Sequence, residues 1–123
     1  MGFKDLRSPD GLNTVGAKEW ARVVKELNAT NFVDEKDRQA LFVYCEAVQE
    51  FDYLLKRLAK EDHVAMSANG ALYQHPLVGA KNKAAERLIK TAKEFGLTPW
   101  ARSKMDVLEK EAKDEFANFL KNG

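Results

Sequence analysis

A chain of 123 residues, 45% apolar and 32% charged, is long enough for one globular domain and too rich in apolar groups to be a disordered tail. Its longest apolar run, Ala40–Cys45, is too short to span a bilayer, Met1–Asp5 offers no apolar signal segment, and a single cysteine allows no internal disulfide. These features exclude a membrane partner and a secreted disulfide scaffold, and predict a reducing compartment.

The first dozen residues contain Ser8-Pro9-Asp10-Gly11, which is turn chemistry, so residues 1–13 are predicted as a flexible or extended arm and 14–123 as a single helical domain. A helical period begins near Thr14, with Gly16, Trp20, Val23, Val24 and Leu27 on one face and Lys18, Arg22 and Lys25 on the other. Asn28 to Asn31 interrupts it. Asp34, with Asp37 three residues on, is a near miss to a capping box and opens a long central helix predicted over about 35–61. In that helix Leu41, Tyr44, Val48, Phe51, Leu55 and Leu58 recur at 3,4,3,4,3, a heptad seam, while Phe42, Cys45 and Leu54 widen the stripe beyond what one partner helix covers. Neighbouring subunits would supply the missing cover, so this seam is the predicted oligomer interface.

Glu61-Asp62 closes the long helix. Val64, Met66 and Ala68 then alternate up to Asn69-Gly70, which predicts a small β-hairpin ending at His75-Pro76. A third helix is expected over about Leu77 to Phe95, with Gly96 after its end. Thr98-Pro99 is an N-cap followed by proline, and opens a last helix to about Leu120, with Met105, Leu108, Ala112, Phe116, Phe119 and Leu120 expected on its inner face. The predicted fold class is therefore mainly α: about four helices, one long and central, and a small hairpin.

Glycine-rich phosphate loops, nucleophile elbows and paired-histidine metal motifs do not occur in the sequence. Cys45 lies within an apolar helical run, where a thiol packs as a small hydrophobe, and the acids Asp34, Glu35 and Asp37 suit a helix N-terminus. No catalytic residue, cofactor or metal is expected.

The net charge of +1 hides a partition. Residues 1–33 carry +1, 34–62 carry −3, 63–105 carry +5 and 106–123 carry −2. A basic middle between acidic blocks suits an anionic partner, self-assembly, or both. Lys83, Arg87 and Lys90 stand at i, i+4, i+7 on the third helix, with Lys81 and Lys93 flanking and Arg102 and Lys104 following. Such a stripe can neutralise DNA phosphates; its plainer reading is a solvated helix face. Lys18, Arg22 and Lys25 form a second candidate set, with Glu19 and Glu26 nearby.

The order of these features resembles the small terminase subunit family of tailed bacteriophages, over about Trp20 to Arg102. The residues that carry it are Trp20 and Leu27, then Asp37, Leu41 and Tyr44-Cys45-Glu46-Ala47, then Asn69-Gly70 and His75-Pro76, and above all Gly96-Leu97-Thr98-Pro99 with Arg102 just after. Ala101 departs from a frequent serine of the family, and the last helix is unusually long and acidic. The resemblance implies a non-enzymatic viral packaging protein in the host cell cytoplasm. It would assemble as a ring-shaped homo-oligomer, recognise double-stranded viral DNA at the packaging site, and recruit and regulate the large terminase subunit, which holds the ATPase and nuclease. Lys81, Lys83, Arg87, Lys90 and Arg102 are then the first candidates for DNA contact. The competing reading is a small helical oligomeric adaptor or regulator that binds protein rather than DNA.

Overall fold

The computed structural model describes residues 2–30, 33–61 and 63–122. Asn31 and Asp62, where helix breaks were expected, lie outside the described residues. The order is α1 (Thr14–Asn28), a 3₁₀ turn (Glu35–Asp37), α2 (Arg38–Leu58), β1 (Val64–Met66), β2 (Leu72–Gln74), α3 (Pro76–Glu94) and α4 (Pro99–Asn122). Among the described residues the chain is thus mainly helical, with four helices and one small antiparallel sheet. It forms two compact units, residues 1–91 and 92–123.

In the first unit α1 starts at Asn13, whose side chain accepts hydrogen bonds from the amides of Val15 (2.9 Å) and Gly16 (3.1 Å) and so satisfies two of the orphan donors of the first turn. Its apolar face is buried, with Trp20 and Val23 fully enclosed. The partner is α2, which contributes Leu41, Tyr44, Cys45, Ala47, Leu54 and Leu58 to the buried set. The expected helix over 35–61 is divided. Asp34 and Asp37 form the reciprocal cap, the amide of Asp34 donating to the Asp37 carboxylate at 3.0 Å, and the first turn closes as 3₁₀ before the α-helix begins. At the other end Lys60 and Glu61 donate to carbonyls three residues back, at 3.2 Å each, and tighten the last turn.

Residues 2–12 contain no helix or strand, yet they are tied down. Phe3 is buried with its ring 6.1 Å from that of Trp20. Its amide donates to Asn28 Oδ1 at 2.7 Å, and its carbonyl accepts from Asn28 Nδ2 at 3.1 Å. Arg38 donates to the carbonyls of Asp5 and Arg7, both at 2.8 Å, while its guanidinium lies 5.0 Å from the Trp20 ring centroid. Gln49 accepts from the amide of Asn13 at 2.8 Å and donates to the carbonyl of Gly11 at 3.3 Å, linking α2 to the cap of α1.

The hairpin pairs Val64 with Gln74, Ala65 with Tyr73 and Met66 with Leu72. Asn69-Gly70 is not a two-residue turn, because among the described residues only glycines have a positive φ, and a type I′ turn over Asn-Gly needs it at both positions. The chain instead turns over Ser67–Gly70, with the Gly70 amide donating to the Ser67 carbonyl at 3.0 Å and Gly70 left-handed at φ +86°.

The second unit begins in the last turn of α3. Gly96, at φ +68°, ends that helix in a Schellman motif: the Gly96 amide donates to the Lys93 carbonyl at 3.1 Å and the Leu97 amide to the Ala92 carbonyl at 3.0 Å. Thr98 Oγ1 then accepts from the Ala101 amide at 3.2 Å and caps α4. Ala92, Phe95 and Ala101 are buried, while Met105 lies against the Gly96 backbone.

The expected inner face of α4 is corrected here. Leu108, Ala112, Phe116, Phe119 and Leu120 are all exposed.

Candidate nucleic-acid interface

α3 is continuous from Pro76 to Glu94, so the 100° step per residue fixes which of its charges share a face. Lys83, Arg87 and Lys90 do, and all three are exposed. Lys81 lies about 200° round from Lys83, beside the apolar side of the helix, and is only half-exposed, so it does not belong to that stripe. Arg102 sits in the second unit, on the first turns of α4, where it donates to the Leu97 carbonyl at 3.3 Å.

The charges are not equally available. Arg87 forms an ion pair with Glu50 of α2. Lys83 and Lys90 form no ion pair or hydrogen bond among the described residues. The stripe on α3 therefore offers two uncommitted cations with a committed one between them. On α1, Arg22 donates to Glu19 at 2.6 Å and to Glu26 at 3.1 Å, which cancels the middle of that set and leaves Lys18 and Lys25 exposed at its ends. Each helix thus leaves two exposed lysines seven residues apart, and α3 as a whole carries five basic groups against two acidic ones, α1 three against two.

Sequence spacing could not find these partners. Glu50 stands 37 residues from Arg87, on another helix, where no local spacing rule joins them. The pairs to Glu19 and Glu26 were foreseeable, since they stand at i−3 and i+4 from Arg22.

The predicted oligomer seam also divides. Leu41, Tyr44 and Leu58 are buried within the chain itself, on the side of α2 that meets α1. Val48 and Phe51 are half-buried, and Leu55 is exposed together with Val43 and Tyr53. This second edge of α2 remains open to a partner.

Among the described residues there is no group of three His, Cys, Asp or Glu side chains able to hold a metal ion, and no helix long and apolar enough to cross a membrane. Burial pushes the Cys45 thiol up to about 12, with the Glu19 carboxylate adding to the shift, which is the opposite of what a nucleophilic cysteine needs. A shallow cleft between the arm and the start of α2 is lined by Pro9, Asp10, Lys36, Arg38 and Phe42, of mixed charge and with no convergent donor set.

The profile of the family described as phage terminase, small subunit, matches residues 16–112, which spans α1 through the first half of α4. No curated protein and no solved structure matches the chain.

Proposed function

The chain belongs to the phage terminase small-subunit family, which serves viral DNA packaging, and from that premise we propose that it is the DNA-recognising, non-enzymatic component of the packaging machine. It binds double-stranded viral DNA at the packaging site and recruits and regulates the large terminase subunit in the host cell cytoplasm. It acts as a ring-shaped homo-oligomer. The observation that carries the reading is the family match across four-fifths of the chain together with the two uncommitted lysines, Lys83 and Lys90, on one exposed face of α3.

A single pair of lysines holds DNA weakly. Repeated around a ring, the pairs become a belt of positive charge whose contacts act together. Contacts of this kind go to phosphates, so binding is steeply salt-dependent and modestly sequence-selective, and Arg102 adds a further positive group outside the stripe. The open edge of α2 at Val48, Phe51 and Leu55 supports a subunit contact.

The test combines particle mass with DNA titration. Wild type should scatter light as a large particle and bind duplex DNA from the packaging region. The pair Lys83→Ala and Lys90→Ala should leave the particle intact, weaken DNA binding, and make the plot of log K against log salt shallower by about 2 for each subunit in contact. A small dimer that ignores DNA would establish the adaptor reading instead. An intact particle whose salt slope is unmoved by the double change would shift the DNA site to Lys18 and Lys25.

A further inference from the structure

Beyond the open edge of α2, two further apolar patches are exposed among the described residues. On α4, Leu108, Phe116, Phe119 and Leu120 are 63–70% exposed. With Met105 and Ala112 they recur at close to 3.6 residues on a continuous helix, so they form one stripe. At roughly 100 Å² each they expose on the order of 400 Å², the size of the largest patch on a typical monomer and about half of one side of a standard interface. The second patch is on the hairpin. Met66 is paired directly with Leu72, and Val64, two residues along from Met66, shares their face. These three are 56–69% exposed. A two-stranded hairpin with a bare apolar face is marginal on its own and gains from cover.

Charge decides what covers them. From Asp106 to Glu115, α4 carries five acids and two lysines, and Glu109 and Glu115 edge the stripe on opposite sides. One of these acids, Glu109, already holds Lys113, at 3.4 Å. Two copies of the stripe laid together would oppose like charges. In register and parallel, each acid neighbours its own copy; antiparallel about Ala112, Glu109 faces Glu115. The hairpin from His63 to His75 contains no Lys, Arg, Asp or Glu, and α3, into which it leads, carries five basic groups against two acidic ones. It is therefore an apolar surface that an acidic helix can approach without repulsion.

We infer that the α4 stripe of one chain docks on the Val64–Met66–Leu72 face of the hairpin of a second copy. The contact joins two different surfaces, so it is head-to-tail and repeats from copy to copy until the rotation closes. The inference rests on the ring reading above and assigns the surfaces that make it.

The test uses disulfide trapping in the full chain. Cys45 is buried and its thiol is held protonated, so new cysteines at exposed positions report alone at neutral pH. Met66→Cys and Phe116→Cys are made in separate chains, mixed, and mildly oxidised. The mixture should give a cross-linked dimer at least ten times faster than either variant alone. Phe116→Asp should keep its helical far-UV signal, because the side chain is exposed, and should reduce the particle to smaller species. Equally fast self-linking of Phe116→Cys would overturn the docking in favour of α4 against α4. A monomer-sized internal cross-link in a chain bearing both cysteines would overturn it in favour of α4 folding back. A wild-type particle that shows neither cross-link and survives Phe116→Asp overturns the docking and leaves the ring standing. A wild type that is monomeric at micromolar concentration overturns the ring itself.

Discussion

Phe3 and Arg38 decide whether the first dozen residues belong to the fold. Phe3 is buried against Trp20, and Arg38 reaches back from α2 to hold two arm carbonyls while its plane covers the same tryptophan. Phe3→Ala should cost about 3 kcal/mol in a urea titration, the low end for a buried phenylalanine, since the arm is free to relax into the gap. None of this was legible in the sequence: Ser8-Pro9-Asp10-Gly11 signals a turn, but a lone Phe3 outside any periodic pattern carries no sign of its partner, which is 17 residues on. The buried titratable pair on α2 gives a second expectation. Burial, then Glu19, raises both Cys45 and Tyr44 to about 12, from ordinary values of 9.0 and 10.0. The native chain therefore keeps protons that the unfolded chain releases, so stability is complete below about pH 9 and falls progressively from there toward pH 12. Urea midpoints measured across this range should decline, and Cys45→Ala should remove the earlier part of the decline. A flat profile between pH 9 and 11 would mean that water reaches both groups in the native state.

Element boundaries were legible where a local chemical reason fixes them. Asn13 lay one residue outside the periodic segment it caps, yet Thr14 as first helical residue followed from the pattern alone. Gly96, Thr98 and Pro99 mark the junction of α3 and α4 because a left-handed residue, a hydroxyl acceptor and a proline each perform one local task there. The hairpin turn was less legible, since Asn69-Gly70 suits several loop lengths and the sheet pairing, not the dipeptide, selected Ser67–Gly70. The junction makes a graded expectation. Thr98→Ala should destabilise α4 by about 1 kcal/mol through loss of its cap. At Gly96 a Cβ would press on Met105, whose Cε would lie 3.1 Å away, so every substitution costs something there. The left-handed φ then separates the variants: asparagine tolerates it and a β-branched side chain does not, so Gly96→Val should melt below Gly96→Asn. Equal melting temperatures would mean that contact with Met105, rather than the backbone, limits this position.

For the whole molecule, the charge partition was visible from the sequence, but not how its charges are spent. The basic excess of residues 63–105 is divided among an ion pair, an exposed stripe and the second unit, and on the stripe Lys83 and Lys90 form no ion pair among the described residues. The pair between Arg87 and Glu50 is where the proposed DNA face can be tested. Both side chains are nearly half exposed, so the pair adds at most about 1 kcal/mol to stability. Its larger effect is electrostatic: Glu50 cancels the central charge of the Lys83–Arg87–Lys90 face. Glu50→Gln keeps the shape of the side chain and removes that cancellation. It should leave the melting temperature within a few degrees, tighten binding to duplex DNA, and steepen the salt slope by about 0.9 for each subunit in contact. Arg87→Gln, which removes a charge already neutralised and exposes Glu50 in its place, should weaken binding. If α3 faces DNA, these two single changes move affinity in opposite directions at constant particle mass. If the stripe serves only to hold subunits together, both leave DNA affinity where it was and change the particle instead.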